Sequence, residues 1–446
     1  MIPVVLKRPL GVLLIGLALG ASAQAQTLQD AVKRSLESNP DILIDASRRL
    51  STDEALNSAR GGFLPRVDLG LGYGREWSEN ATTRALGLTG DRGLNRSEAS
   101  LTLTQMLFDG FATKSEVERH QARVDSAANR LANTSEQIAL QVIEAYLEVL
   151  RSRELVEITR TNANAHLRTF DQIKIRSDSG VGRKSDLEQI NARNGLARAN
   201  LAAAEANLRD AEINFQRLVG LAPSSLSKPV APIPAVMPKS LDDAIRIALE
   251  NHPLLKSAQS DIDAAQAQNK AAKSTLYPHL NLEVGASHNR NIDGLSGRNE
   301  DKFIMLRMRY NLFNGGSDQA RINETAHQIS EARQIRERTQ RQVAQSTSLS
   351  WNALTSVRER LPALRQHAQA SAATRDAYIQ QFGIGQRTLL DMLDAENESF
   401  TAASNLLSGE YLEIFAHYRV LADVGHLLST LNVAPRSEAL IAAAER

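Results

Sequence analysis

The chain of 446 residues contains no cysteine. That absence excludes disulfides, thiolate nucleophiles, zinc–thiolate sites and lipid attachment at a cysteine. Aromatic residues are scarce, 4% of the chain against 42% hydrophobic. Bulk comes instead from Ala, Leu, Gln, Arg and Glu, the composition of long packed helices rather than of large aromatic cores. Charge of one sign is also missing. Lys and Arg number 52 and Asp and Glu 51, a formal net charge of +1, so no electrostatic case for nucleic acid arises. There is no Gly-rich phosphate loop ending in Lys-Ser/Thr and no His-Glu-x-x-His, and the nine histidines are scattered without ligand spacing. No enzyme, metal site or cofactor is expected.

Long apolar runs are absent too. The longest is Leu10–Leu19, preceded by Lys7 and Arg8 and followed by the small-residue sites Ala21-Ser22-Ala23 and Ala23-Gln24-Ala25. This is the pattern of a secretory signal peptide over 1–25; the alternative is a buried N-terminal helix. Beyond it nothing approaches the ~20 apolar residues of a spanning helix. An exported protein without a transmembrane helix is periplasmic, secreted, or a β-barrel of the outer membrane.

What is present is repetition. Thr27-Leu28-Gln29-Asp30-Ala31 through Asn39-Pro40 lines up with Ser240-Leu241-Asp242-Asp243-Ala244 through His252-Pro253. Phe63-Leu64-Pro65 then falls on Leu276-Tyr277-Pro278, and Leu107-Phe108-Asp109-Gly110 on Leu312-Phe313-Asn314-Gly315. Gly180-Val181-Gly182 falls on Gly383-Ile384-Gly385. Four landmarks in one order mark a duplication. The boundaries are a first repeat over 26–222, a Pro-rich extended linker over 223–239, a second repeat over 240–428 and a tail over 429–446.

Each repeat opens with two short helices, capped at Thr27 or Ser240 and broken at Pro40 or Pro253. The period then changes to two. Val67, Leu69, Leu71 and Tyr73 alternate with polar or glycine positions, as do Leu280, Leu282, Val284 and Ala286. The returning strands follow with Leu101 and Leu103, and with Ile304, Leu306, Met308 and Tyr310 set against Met305, Arg307 and Arg309. Each run is about the 9–11 residues of a tilted barrel strand. Polar loops are expected near Glu76–Arg96 and His288–Asp301. Nine of the 19 aromatics lie in or beside these strands, Phe303 among them, as an interfacial girdle requires. The competing reading is a soluble two-hairpin sheet with one buried face.

After each returning strand comes a very long helical pattern, Ala112–Ser177 and Ser317–Gln381, free of glycine, with Pro362 in the second. At ~1.5 Å per residue each would be about 100 Å long. Glycine-bearing tips follow, and helices Ser185–Leu218 and Thr388–Val424 run back. Capping boxes, Ser185 with Glu188 and Thr388 with Asp391, would restart these helices. Four strands cannot close a barrel, and lipid tolerates no open sheet edge. Three chains would give twelve strands, with Arg307 and Arg309 in a wet lumen and the helices extending that lumen into the periplasm.

The Asn39-Pro40 and His252-Pro253 landmarks, the Leu-Phe-Asp/Asn-Gly motif and Gly383-Ile384-Gly385-Gln386-Arg387-Thr388-Leu389-Leu390-Asp391-Met392-Leu393-Asp394-Ala395 resemble the TolC family of outer-membrane exit ducts. The resemblance covers Thr27 to about Leu428. It implies an α+β membrane protein: a homotrimer with a twelve-stranded barrel continuous with a coiled-coil periplasmic tunnel, in the outer membrane of a Gram-negative bacterium. It implies partners as well, a periplasmic adaptor and an inner-membrane ABC transporter or proton-driven pump, with an exported protein as cargo. Gly61-Gly62-Phe63-Leu64-Pro65 and Tyr73-Gly74-Arg75-Glu76 resemble the branch that exports large adhesins by type I secretion. Drug-efflux relatives often carry the lipid-attachment cysteine that is missing here.

By the same resemblance, Asp391 and Asp394 would form carboxylate rings at the tunnel's periplasmic end. Arg387 would be the ion-pair tie and Glu188 its acidic partner, while Phe382 replaces a hydrogen-bonding tyrosine. Gly180, Gly182, Gly383 and Gly385 would form the tips that meet adaptor and pump. Six carboxylates around a neck would raise some of their pKa values by repulsion and select cations. Capping alone would equally explain Asp391 and Glu188. Asp394 matches Asn191 of the first repeat, so no cap demands its charge. A drug-efflux outer component and a periplasmic coiled-coil adaptor are the alternative functions.

Overall fold

The computed structural model describes residues 26–88, 90, 93–232 and 236–441; the expected signal peptide, 1–25, lies outside them. The chain begins with α1 (Leu28–Ser38) and α2 (Pro40–Gly61). Thr27 and Asp30 close a capping box on α1. Asn39 ends that helix and caps the next, with Pro40 at its first position, where a missing N–H costs nothing. Then come β1 (Arg66–Trp77), the short α3 (Ala81–Ala85), β2 (Gly93–Phe108), α4 (Ala112–Asp178) and α5 (Lys184–Val219). The second half repeats this order with α6 (Leu241–Asn251), α7 (Pro253–Ala272), β3 (His279–Arg290), β4 (Arg298–Arg309), α8 (Ser317–Gly383) and α9 (Leu389–Asp423). A four-residue α10 (Leu427–Thr430) closes the chain.

The two halves differ in length at one place. Arg66 and His279 open equivalent strands 213 residues apart, whereas Gly93 and Arg298 are 205 apart. The loop 78–92 has fifteen residues and 291–297 has seven, which accounts for the eight. The extra residues of the first loop include α3. Its cap, Asn80, also donates from Nδ2 to the Asp293 carbonyl at 2.8 Å, so the loops hold each other. Both loops are shorter than the polar composition predicted. The strands run on through Trp77, Gly93, Arg290 and Arg298, because cross-strand pairs such as Arg96–Glu76 at 2.7 Å and His288–Glu300 at 2.9 Å satisfy polar side chains there.

The strands form one antiparallel sheet in the order β1-β2-β3-β4. Register places Val67 beside Leu103, Leu69 beside Leu101, Leu101 beside Ala286, and Val284 beside Ile304, so one face is a continuous apolar band. No helix packs on the sheet among the described residues. Leu69 is 68% exposed, Leu71 75% and Ile304 78%. A soluble sheet would bury such a face, so that reading is set aside. The outer edges of β1 and β4 have no partner strand among the described residues. Phe303 departs from the girdle expectation. It lies on the polar face in mid-strand, opposite Gly285, where an added Cβ would come within 2.5 Å of its ring. Phe108, Phe111 and Tyr277 do gather, edge to face at 5.4–6.5 Å, where the strands meet the helices.

α4 and α8, 67 residues each and ~100 Å long, are the spines of the two hairpins. α4 packs against α5, α7, α2 and α9, and α8 against α9, α7 and α6. The main core lies where α1, α2, α4, α5, α9 and α10 meet, around Tyr146 and Phe215. Residues 223–232 of the extended Pro-rich linker run as a strap across this core. The Tyr146 hydroxyl lies 2.7 Å from both the Gln26 and Ser227 carbonyls. Lys228 pairs with Glu154 at 3.2 Å, and the Tyr411 hydroxyl donates to the same carboxylate at 2.7 Å.

Glu136 of α4 lies against the start of α10, with Oε2 buried and without a hydrogen-bond partner among the described residues. Burial pushes its carboxyl up to about 7, against the Leu428 and Leu427 amides, which favour the charged form. A carboxyl whose folded value exceeds its unfolded one stabilises the fold below the unfolded value and loses that contribution as pH rises through the folded value. Stability is therefore expected to fall between pH ~4.5 and ~7, by about 3 kcal/mol from this group. Thermal unfolding of Glu136→Gln should show a smaller drop between pH 5 and 8 than the parent; an identical drop would exclude Glu136 as its source.

Candidate functional site

Both hairpins turn in five residues, 179–183 and 384–388. Gly180 and Gly385 carry the left-handed conformation, at φ +76 and +79. They are thus the equivalent glycines, and the 205-residue shift of the strands and helices continues through the tips. The matching of Gly180-Val181-Gly182 to Gly383-Ile384-Gly385 was two residues out of step, since either spacing brings glycines together in sequence and only φ distinguishes them. Gly182 is required for another reason: a Cβ there would meet the Ser177 amide nitrogen at 2.9 Å. Gly383 closes α8 in open space, where nothing requires glycine.

The shift also corrects a cap. α5 starts at Lys184 with Arg183 as its N-cap residue and no side-chain cap bond, so Ser185 and Glu188 form no capping box. Ser185 donates to Asp186 at 3.4 Å, and Glu188 is exposed. Asp186, not Glu188, stands at the third helical position, opposite Asp391. Asp394 accordingly matches Gln189 rather than Asn191. The second tip does close its box: Asp391 accepts from the Thr388 hydroxyl at 2.8 Å and from its amide at 3.2 Å. These bonds, with Arg387 nearby, hold the Asp391 carboxyl below its ordinary value. Within one chain the shift is therefore downward, opposite in sign to the repulsion expected in a ring.

Arg387 forms no ion pair with Glu188 among the described residues of one chain. Its Nε donates to Gln381 at 3.0 Å, and its guanidinium stacks 4.2 Å over the Tyr378 ring. Phe382 is half-buried against Ile173, Ile190, Leu389, Met392 and Leu393, a small core that joins the two hairpins just above the tips. Asp394 points out of that core and pairs with Arg193 of α5 at 3.0 Å. Arg193 and Tyr378 were not singled out from sequence. The signal for Arg193 was Asp394 itself, an acid with no cap to make and hence open to a basic partner on the other hairpin.

The family model described as outer membrane efflux protein matches residues 31–221 and 244–413. The chain belongs to the outer membrane efflux protein family. This efflux-family chain is 27% identical over 418 residues to outer membrane efflux protein BepC of Brucella suis biovar 1, across 93% of this chain and 89% of that protein. It is 24% identical over 420 residues to the alkaline protease secretion protein AprF of Pseudomonas aeruginosa, across 92% and 86%. Its fold matches the CmeC outer membrane channel of Campylobacter jejuni with a TM-score of 0.78 at 14% identity, covering 90% of this chain and 86% of that one. As a member of this TolC-like family it is an outer-membrane protein, giving four strands to a trimeric twelve-stranded barrel continuous with a helical periplasmic tunnel. Proteins of the family are homotrimers that work with adaptor and inner-membrane pump partners.

On the efflux-family sheet, Arg307 and Arg309 lie on the face opposite the apolar band, paired in register with Asn281 and His279. Arg307 also donates to Glu283 at 2.8 Å.

Proposed function

We propose that the protein is the exit duct of a type I secretion system, passing a large adhesin or other protein outward without chemistry of its own. The observation that carries the duct is a lipid-suited sheet with open edges, continuous with ~100 Å hairpins that end in exposed carboxylates. The protease-secretion relative supports a protein cargo. BepC, named for efflux, supports the second reading, the outer component of a drug efflux pump. Deletion of the gene separates them: loss of a large secreted protein with unchanged drug susceptibility supports secretion, and the reverse supports efflux.

In this reading Asp391 and Asp394 line the neck, with Glu188 and Phe382 beside it. The tips at Gly180, Gly182, Gly383 and Gly385, where Val181 and Ile384 stand exposed, receive the adaptor or pump. Arg387 restrains the closed end through the α8 turn it grips. Arg387→Ala is expected to raise single-channel conductance in planar bilayers severalfold. Wild-type conductance would leave Arg387 as surface charge.

A further inference from the structure

We propose that Arg193 sets the charge of the neck: it occupies Asp394, leaves selectivity to Asp391, and clasps the two hairpins of each protomer together. This rests on the reading of the hairpin tips as the neck of a duct.

The pair joins α5 to α9 across 201 residues of sequence, Nη2 to Oδ1 at 3.0 Å. Arg193 is not a loose surface residue. Its side chain is 33% exposed, and its charge acts on His166 of α4, which is buried and whose Nδ1 has no partner among the described residues. Burial, aided by the charge of Arg193, holds the imidazole below its ordinary value and so neutral. Asp394 is thus the acid that balances this guanidinium. Asp391 is held differently: its bonds are to a neutral hydroxyl and an amide, and the nearby Arg387 guanidinium stacks on Tyr378 and donates to Gln381 instead of pairing with it.

Asp391 and Asp394 are three residues apart on α9 and so neighbour each other on the helix surface. Two bare carboxylates per chain would put six negative charges at the neck of a trimer. A paired Asp394 presents a short dipole whose field falls off faster than that of a free charge. The duplication did not create the pair. The 205-residue shift sets Glu398 opposite Arg193 and Gln189 opposite Asp394, and glutamate with glutamine makes no ion pair. The clasp therefore belongs to the joint between hairpins inside one protomer and has no counterpart at the repeat-related position.

The test is the reversal potential of the full-length trimer in planar bilayers under a KCl gradient. Arg193→Gln uncovers three carboxylates and is expected to raise the cation-over-anion permeability ratio about two-fold or more near 0.1 M salt. Arg193→Lys should keep the parent ratio, and Arg193→Gln with Asp394→Asn should return to it. An Arg193→Gln channel with the parent ratio, or one shifted toward anions, overturns the proposal. If Arg193→Gln does not assemble, the exchange Arg193→Asp with Asp394→Arg decides. Restored trimers with the parent ratio support the clasp, and trimers still absent overturn it. Bilayers left silent by the parent protein would instead defeat the duct reading itself.

Discussion

Replacing Asp391 and Asp394 together by alanine is expected to lower the cation selectivity of the channel severalfold in planar bilayers at low salt. Around a neck of the trimer the substitutions remove six carboxylates. At ~0.1 M salt the screening length is about 10 Å, so charges on facing protomers of a narrow neck still act on one permeating ion. The double variant also strips Arg193 of its partner, which adds positive charge and should carry the ratio toward anions. Part of any effect could come from the cap rather than from charge, because Thr388 and Asp391 close a box on α9. Losing that box costs about 1 kcal/mol per chain. Asp391→Asn keeps an acceptor for the Thr388 amide while removing the charge, so it separates the two causes. Selectivity unchanged in both variants would remove the carboxylates from the conduction pathway.

Leu101→Arg should abolish assembly in the outer membrane. Leu101 sits mid-strand on β2, beside Leu69 on one neighbour and Ala286 on the other, in the centre of the apolar band. A lipid-facing arginine near the bilayer midplane costs about 2–4 kcal/mol, and a trimer bears it three times. Thr102→Arg, one residue along and therefore on the opposite face, should assemble because that face meets water. Heat-resistant trimers in the membrane fraction, resolved on a gel, report the outcome. Leu101→Arg trimers at the parent level, or loss of the Thr102→Arg trimers, would show that the apolar band does not face lipid.

The elements were legible because their periods are long and unbroken. A 67-residue helix free of internal glycine shows in composition alone, and alternation from Val67 to Tyr73 marks one face of a strand whatever it pairs with. The loops were read too long because polar residues at strand ends look like loop until a partner strand supplies Glu76 for Arg96 or Glu300 for His288.

By itself the sequence determined the duplication and the order of strands and hairpins, since each is carried by local pattern. Tertiary structure decided the equivalence of the tips, where two glycines flanking one β-branched residue fit either register and only the left-handed φ of Gly180 and Gly385 selects one. It also decided the partners of the charges: Asp394 with Arg193 across 201 residues, and Arg387 on Tyr378. Periodicity tells which face a side chain takes, but which charge it meets there depends on how two hairpins far apart in sequence are set side by side.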